Sequence, residues 1–325
     1  MKKTIVTVLC ICIVIALIIF SIAAGGRDFS AHQTATLNIL LMICSCSIAY
    51  CFIAGEITHN YSQMDKLWSL LPVIYAWVIV FHGGMSVRTV VYALIVTAWG
   101  IRLTVNFARK GAYRLKFWEG NEDYRWSIVR KNPIFSHGFA WTLFDLLFIS
   151  VYQNLLVLAI CLPCLACTES DVPFGLTDII AAGLAFAFLL LETVSDEYQW
   201  AFHKEKNALL KEAGKLSDLP YPYSLGFNTF GPWAHMRHPN YLGEQGIWLS
   251  LYIFAIAAGV TKFGIFHITF AGPLLLVLLF MGSSVLGEKI SSGKYPKYAD
   301  YTSQVCKYIP IRKYKPDNAE NAAGD

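Results

Sequence analysis

Glu192, Asp196, Gln199 and His203 stand at offsets of 0, 4, 7 and 11 in the stretch LLLETVSDEYQWAFHKEKN. On an α-helix that spacing makes a single stripe. An ionisable side chain in hydrocarbon is expensive and persists where it has a task, so an acid directly after the run AFAFLLL points to a polar cavity facing the interior of a helical membrane protein. A helix end emerging into water accounts for Glu197, Lys204 and Lys206, and accounts less well for Glu192.

A second constellation is GPWAHMRHPNYLGEQGIW, from Gly231 to Trp248. Pro239 suits the first position of a helix, where its missing N–H removes no bond. Asn240 and Glu244 then share a face at i and i+4, with Gly243 beside them leaving room for close approach of a ligand. Arg237 stands just before that helix N-terminus, whose free N–H groups and positive dipole end favour an anion such as a phosphate. The third constellation is AWGIRLTVNFARKGAYRLKFWEGNEDYRWSIVRKNP. Here Arg102 and Asn106 share a helical face, and Tyr124 and Arg125 follow in a basic loop.

The plainer readings compete. Arg237 as an interfacial anchor, Tyr241 and Trp248 as an aromatic belt, and Arg102 as a snorkelling cation are all common fates near a membrane surface. His235 and His238 could open a metal site, but only eight histidines are scattered along the chain, and no metal centre is expected. Cys10, Cys12, Cys44, Cys46 and Cys51 lie in or beside apolar runs and read as packing. Cys161, Cys164 and Cys167 carry two-residue spacers but lack a second pair or a histidine to complete four ligands, so packing is again the stronger reading, with a disulfide as the other.

The elements that position these residues follow from composition. Of 325 residues, 56% are hydrophobic and 15% charged, with a mean hydropathy of +0.48, well beyond a soluble domain. Apolar windows near 4–24, 36–54, 67–82, 87–107, 138–162, 176–200, 244–260 and 266–287 are long enough to cross hydrocarbon as helices and lack the alternation of barrel strands. The expected fold is therefore an all-α, polytopic helical bundle of about seven or eight spans, the third and fourth open to breaks.

Nineteen of the 26 Lys and Arg fall in 107–137, 201–243 and 288–325, which places those segments and both termini on the cytoplasmic side. The net charge of +4 is a topology signal of this kind, facing an anionic leaflet, and implies no nucleic acid. Lys2 and Lys3 before the first apolar run suit either an uncleaved anchor, the reading preferred, or a signal peptide. One membrane-embedded domain over 1–315 and a polar tail over 316–325, expected to be disordered, account for the chain. No strand-linked GxGxxG and no GxxxxGK[ST] is present, so any nucleotide would bind between helices.

The segments MDKLWSLLPVIYAW, WGIRLTVNFARKGAY, NEDYRW, LETVSDEYQWAFHK, RHPNYLGE and YPKYADYTSQVCKYIP occur in this order. Over roughly residues 40 to 312 the chain resembles the bacterial membrane proteins related to steroid 5-alpha-reductases. The resemblance implies NADPH bound from the cytosol, a lipid-like enone taken from a bacterial inner membrane, and hydride transfer to the β-carbon while an acid and a tyrosine polarise the ketone.

By motif, Asp196, Asn240 and Glu244 match cofactor-contacting positions, with Arg237, His238 and Tyr241 in the same loop and helix start. Arg102, Asn106 and Arg125 join that set as basic and amide groups on the same membrane face. His203 falls where human-type members carry a basic residue, with Lys204 as its substitute. Glu192 and Glu288 depart from the Asn and Tyr of those members. Asp65 of MDKLW lies near the family's catalytic glutamate, with Glu56 as the fallback, and Tyr75 and Tyr124 are the tyrosine candidates, because the matching helix reads TVNFAR. RHPNY.G alone is shared with isoprenylcysteine and phospholipid methyltransferases, so an S-adenosylmethionine-dependent enzyme is the second reading. Glu288 standing alone, without a paired acid, favours the reductase. A lipid-binding protein without catalysis is the third.

Overall fold

The computed structural model of the protein describes residues 2–26, 28–135 and 138–315. The tail expected at 316–325 lies outside the described residues. Among them all regular structure is helical, apart from three isolated β-bridges. Twelve α-helices run α1 Lys2–Ala24, α2 Ala31–Thr58, α3 Gln63–Leu67, α4 Leu71–Val78, α5 Val87–Ala108, α6 Tyr124–Arg130, α7 Gly138–Phe144, α8 Gln153–Ala166, α9 Leu176–Ala213, α10 Pro239–Ala257, α11 Ala271–Lys294 and α12 Tyr298–Gln304.

Five helical runs among the described residues are long and apolar enough to cross a membrane: α2, α5, Gly138–Ala166, α9 and Ile268–Lys294. Leu9–Ala24 and Leu71–Gly83 are shorter apolar helices, and α10, although 19 residues long, falls outside that set. The protein is thus an all-α polytopic membrane protein.

The expected breaks have local causes. In the third span, α3 and α4 are separated at 68–70, where Ser69 Oγ bonds Thr104 Oγ1 at 2.7 Å. Pro72 in the first turn of α4 has no amide to continue the earlier ladder, so the helix restarts there. The fourth span, α5, is unbroken. The fifth passes through a π-helical stretch, Asp145–Tyr152, and α4 ends in another, Ile79–Gly83. Such stretches widen the helix by one residue per turn and often lie at functional sites. Starts are capped as short-range chemistry dictates: Ser30 and Gln33 form a reciprocal box at α2, Ser86 and Thr89 another at α5, and Asp123 accepts from Arg125 N at α6.

The chain divides into two compact units, Met1–Ala185 with Trp248–Leu276, and Phe186–Ile247 with Val277–Asp325. In the first, Trp99 and Trp248 meet edge to face at 5.0 Å in a core that also buries Tyr75, Ile79 and Met64. Its buried ion pair, Arg88 Nε to Asp178 Oδ1 at 2.7 Å, is completed by Arg88 donating to the carbonyls of Val172 and Pro173, the full satisfaction that a pair in low dielectric needs. Cys161 and Cys167 are buried free thiols donating to the carbonyls four residues back, so they pack rather than pair. The second unit closes on an aromatic core of Phe227, Tyr295, Tyr298, Tyr301 and Tyr314.

Candidate functional site

In the first unit the residues around α3 carry the densest polar chemistry. The loop before α6 is stitched to the chain before α3: Tyr61 N donates to Glu122 Oε1 at 2.9 Å, Asp123 N to Ser62 Oγ at 2.9 Å and Asn60 Nδ2 to Gly120 O at 3.0 Å. Lys66, fully buried, holds the loop from inside by donating to the carbonyls of Phe117 and Glu119 at 2.9 and 2.7 Å. Burial pulls its ammonium down to about 8, against the opposing effect of Asp65.

This frame presents Asp65 to α6. Trp126 Nε1 donates to Asp65 Oδ2 at 2.9 Å, and Arg125 Nη2 lies 4.0 Å from Asp65 Oδ1. Arg125 is fixed by a bidentate contact with Asp123, at 2.8 and 3.0 Å. The two carboxyls are driven apart. Burial pushes Asp65 above the usual carboxylate range, with Arg125 opposing and Asp123 reinforcing. Burial acts upward on Asp123 too, but the Arg125 charge and hydrogen bonds outweigh it and hold Asp123 below that range. Neighbouring acids whose environments push them in opposite directions are the ordinary means of separating an acid role from an anchor role.

One turn further along α6, the Arg130 guanidinium lies 4.4 Å from the ring centroids of both Tyr61 and Trp141. Thr142 Oγ1 donates to Glu56 Oε2 at 3.1 Å, and Asp145, 1% exposed, is near enough to Glu56 and Arg130 to feel both charges. Glu56 Oε1, Asp145 Oδ2, Trp141 Nε1, and Arg130 Nε and Nη2 are buried without a hydrogen-bond partner among the described residues. Sequence reasoning missed Asp145 and Arg130. The signal for Asp145 was present, since it is a lone acid inside AWTLFDLLFIS.

Of the other first-unit candidates, Tyr124 is 60% exposed on α6, and Asn106 is buried on α5 with its Oδ1 taking Arg109 Nε and Nη2 at 3.0 and 2.7 Å. Arg102 is half-buried one turn before it. Tyr75 is buried in the core, its hydroxyl without a partner among the described residues.

In the second unit α10 begins at Pro239, as expected. Arg237 Nε and His238 Nε2 both reach Glu288 Oε1, at 2.8 and 3.0 Å, and Lys307 Nζ lies 3.8 Å from Oε2. Arg237 Nη1 also donates to the carbonyls of Thr302 and Val305. Its guanidinium is thus held by Glu288 and α12, and the amides of Arg237 and His238 are taken by Cys306 O and Lys307 O. Burial pulls the His238 imidazole below its ordinary value, and Glu288 only partly offsets this. Lys307 is lowered by burial as well, with Glu288 opposing.

Asn240 Nδ2 donates to Asp196 Oδ1 at 3.2 Å, and Asn240 Oδ1 receives Tyr241 N at 3.0 Å. Tyr241 stacks on His238 with centroids 5.1 Å apart. Gln199 and His203, the last two members of the stripe, meet at 3.1 Å on α9, while Lys204 is exposed. Glu192 and Glu244 are both buried. The space beside Gly243 is filled by protein rather than left for a ligand: a Cβ there would lie 2.6 Å from Glu192 Cβ and 2.9 Å from Phe188 O.

The sequence profile of a family described as "Protein of unknown function (DUF1295)" matches residues 51–305. An uncharacterised protein of Schizosaccharomyces pombe is 34% identical over 264 residues, covering 78% of this chain and 73% of its own. No solved structure matches.

Proposed function

We propose, from the premise that the chain belongs to the DUF1295 family, that it is an NADPH-dependent reductase of a C=C bond conjugated to a ketone in a steroid or related lipid, akin to the steroid 5-alpha-reductases. The ordered motifs support this reading, and the observation that carries it is the Asp65 carboxyl, pushed by burial above the usual carboxylate range and held by the Trp126 indole at 2.9 Å. When bound, the reduced nicotinamide supplies a hydride to the β-carbon of the enone. Negative charge then develops on the ketone oxygen, where a positioned acid in a dry site is most effective. Asp65 donates the hydrogen bond, and Asp123 keeps Arg125 from forming a close ion pair with it.

The second unit's residues fit the dinucleotide's charge. Arg237 and Lys307 surround one carboxylate, Glu288, leaving a positive surplus for phosphate. The Asp196–Asn240 pair offers acceptor and donor to ribose hydroxyls. The basic loops support an orientation with both termini in the cytosol, and the resemblance to bacterial members of the reductase family is the ground for proposing an inner-membrane location.

Membranes containing the protein are expected to oxidise NADPH when given a 3-oxo-Δ4 steroid or bile-acid-like enone, and Asn240→Ala and Glu244→Ala to weaken NADPH binding while the protein still folds. No saturated product from a broad enone panel overturns the reaction. Calorimetric binding of S-adenosylmethionine in place of NADPH would support the methyltransferase reading instead.

A further inference from the structure

The connectors at one end of the first unit's helices enclose a cavity of about 470 Å³. It is walled by Gly26, Asp28, Phe29 and Ser30 between α1 and α2, the end of α8 with the residues just after it, and the α10–α11 loop. Gly26 pairs with His267 across it, with Ile268 N donating to Gly26 O at 3.0 Å, and only glycine fits there because a Cβ would lie 2.9 Å from the His267 ring. Gln33 is spent on structure: its amide donates to Leu165 O and Thr168 Oγ1, and its oxygen receives Ser30 N.

His267 is different. It is 3% exposed and lines the cavity. Its Nδ1 receives the Thr269 backbone N–H at 3.3 Å and lies 2.9 Å from Thr269 Oγ1. A backbone N–H can only donate, so Nδ1 is the acceptor and the proton of the neutral ring sits on Nε2. That N–H has no partner among the described residues. Three charged side chains share the lining, Asp28, Glu169 and Lys262, and none of them makes an ion pair among the described residues. The cavity therefore offers a buried donor and a cation for an anionic group, and two carboxylates for a cationic one. Beside it the surface is apolar: Phe263 is 75% exposed and Ile265 45%, and Phe20 packs on Phe266 at 4.6 Å.

We propose that this cavity binds the zwitterionic phosphoethanolamine headgroup of a membrane phospholipid, with phosphate toward His267 and Lys262, ammonium toward Asp28 and Glu169, and acyl chains along the Phe20–Phe263 surface. A pocket of this size suits a small headgroup, and aromatic side chains at its edge suit the membrane–water interface. The same zwitterion is available as free phosphoethanolamine.

The test is native mass spectrometry of the full-length protein, stripped of lipid and titrated with equal amounts of phosphatidylethanolamine and phosphatidylglycerol. Phosphatidylethanolamine is expected to be retained about tenfold better, as charge-assisted hydrogen bonds to its ammonium predict. Asp28→Asn with Glu169→Gln, both at exposed positions, should bring the two lipids within about twofold of each other without changing the circular dichroism. Displacement of the lipid by soluble O-phosphoethanolamine assigns recognition to the headgroup alone, and retention against it assigns it to the anchored lipid; either keeps the site. Equal retention of both lipids by the unaltered protein, or a preference that survives both substitutions, overturns it.

Discussion

Asp65 and Asp123 flank one guanidinium and are pushed in opposite directions, which gives a signed pH dependence. In the proposed reaction Asp65 acts in its protonated form, so turnover should fall as pH rises through its elevated value. Asp123→Asn removes an anion that raises Asp65 and frees Arg125 to move toward it, so the falling limb should shift to lower pH; Arg125→Gln removes the charge that opposes burial, so the limb should shift to higher pH. Full pH–rate profiles of both variants check this, and shifts in the same direction would remove Asp65 from the role. Glu288→Gln should lower stability by about 2 kcal/mol, measured by thermal unfolding in detergent, because Arg237 and Lys307 lose their shared carboxylate in a mostly buried site. At this scale the sequence was partly legible. Asp65, Asp196, Asn240 and Glu244 carry motif or helix-face signals, whereas the Arg237–Glu288 contact joins residues 51 positions apart and the Lys66 contacts end on loop carbonyls, neither of which leaves a periodic trace.

The elements carry a different kind of information. Apolar length revealed the helices, although of the eight expected spans only five are long and apolar enough to cross a membrane among the described residues, and the break before α4 follows from Pro72. The π-helical stretch Asp145–Tyr152 did not announce itself, because widening a helix by one residue leaves a mostly apolar run looking the same. Gly243 was read as space for a ligand, since a glycine on a polar face marks close approach without saying of what. It is the contact between α9 and the start of α10 that needs it. Gly243→Ala should therefore destabilise the protein by about 1–3 kcal/mol, because the new methyl meets Glu192 Cβ and the Phe188 carbonyl, neither of which can swing away. A lower unfolding temperature with NADPH affinity retained in the folded fraction is the expected result, and unchanged stability would contradict the packing role.

For the whole molecule, two compact units each hold one set of candidate groups: an acid poised by burial around α3 and α6, and a basic and amide-rich set around the start of α10. Composition alone separates this protein from soluble classes. The division of labour between an acid for the ketone and cations for a dinucleotide is the content of the reductase proposal. Its central claim is a hydride moved from nicotinamide to an enone β-carbon. The most direct measurement is turnover of purified protein in nanodiscs with NADPH deuterated at nicotinamide C4 and a 3-oxo-Δ4 steroid, followed by mass spectrometry and NMR of the product. The account predicts a saturated ketone carrying deuterium at the β-carbon, with Asp65→Asn slowing turnover by about 100-fold or more. A folded protein that binds NADPH yet leaves every enone unlabelled and unreduced would contradict it.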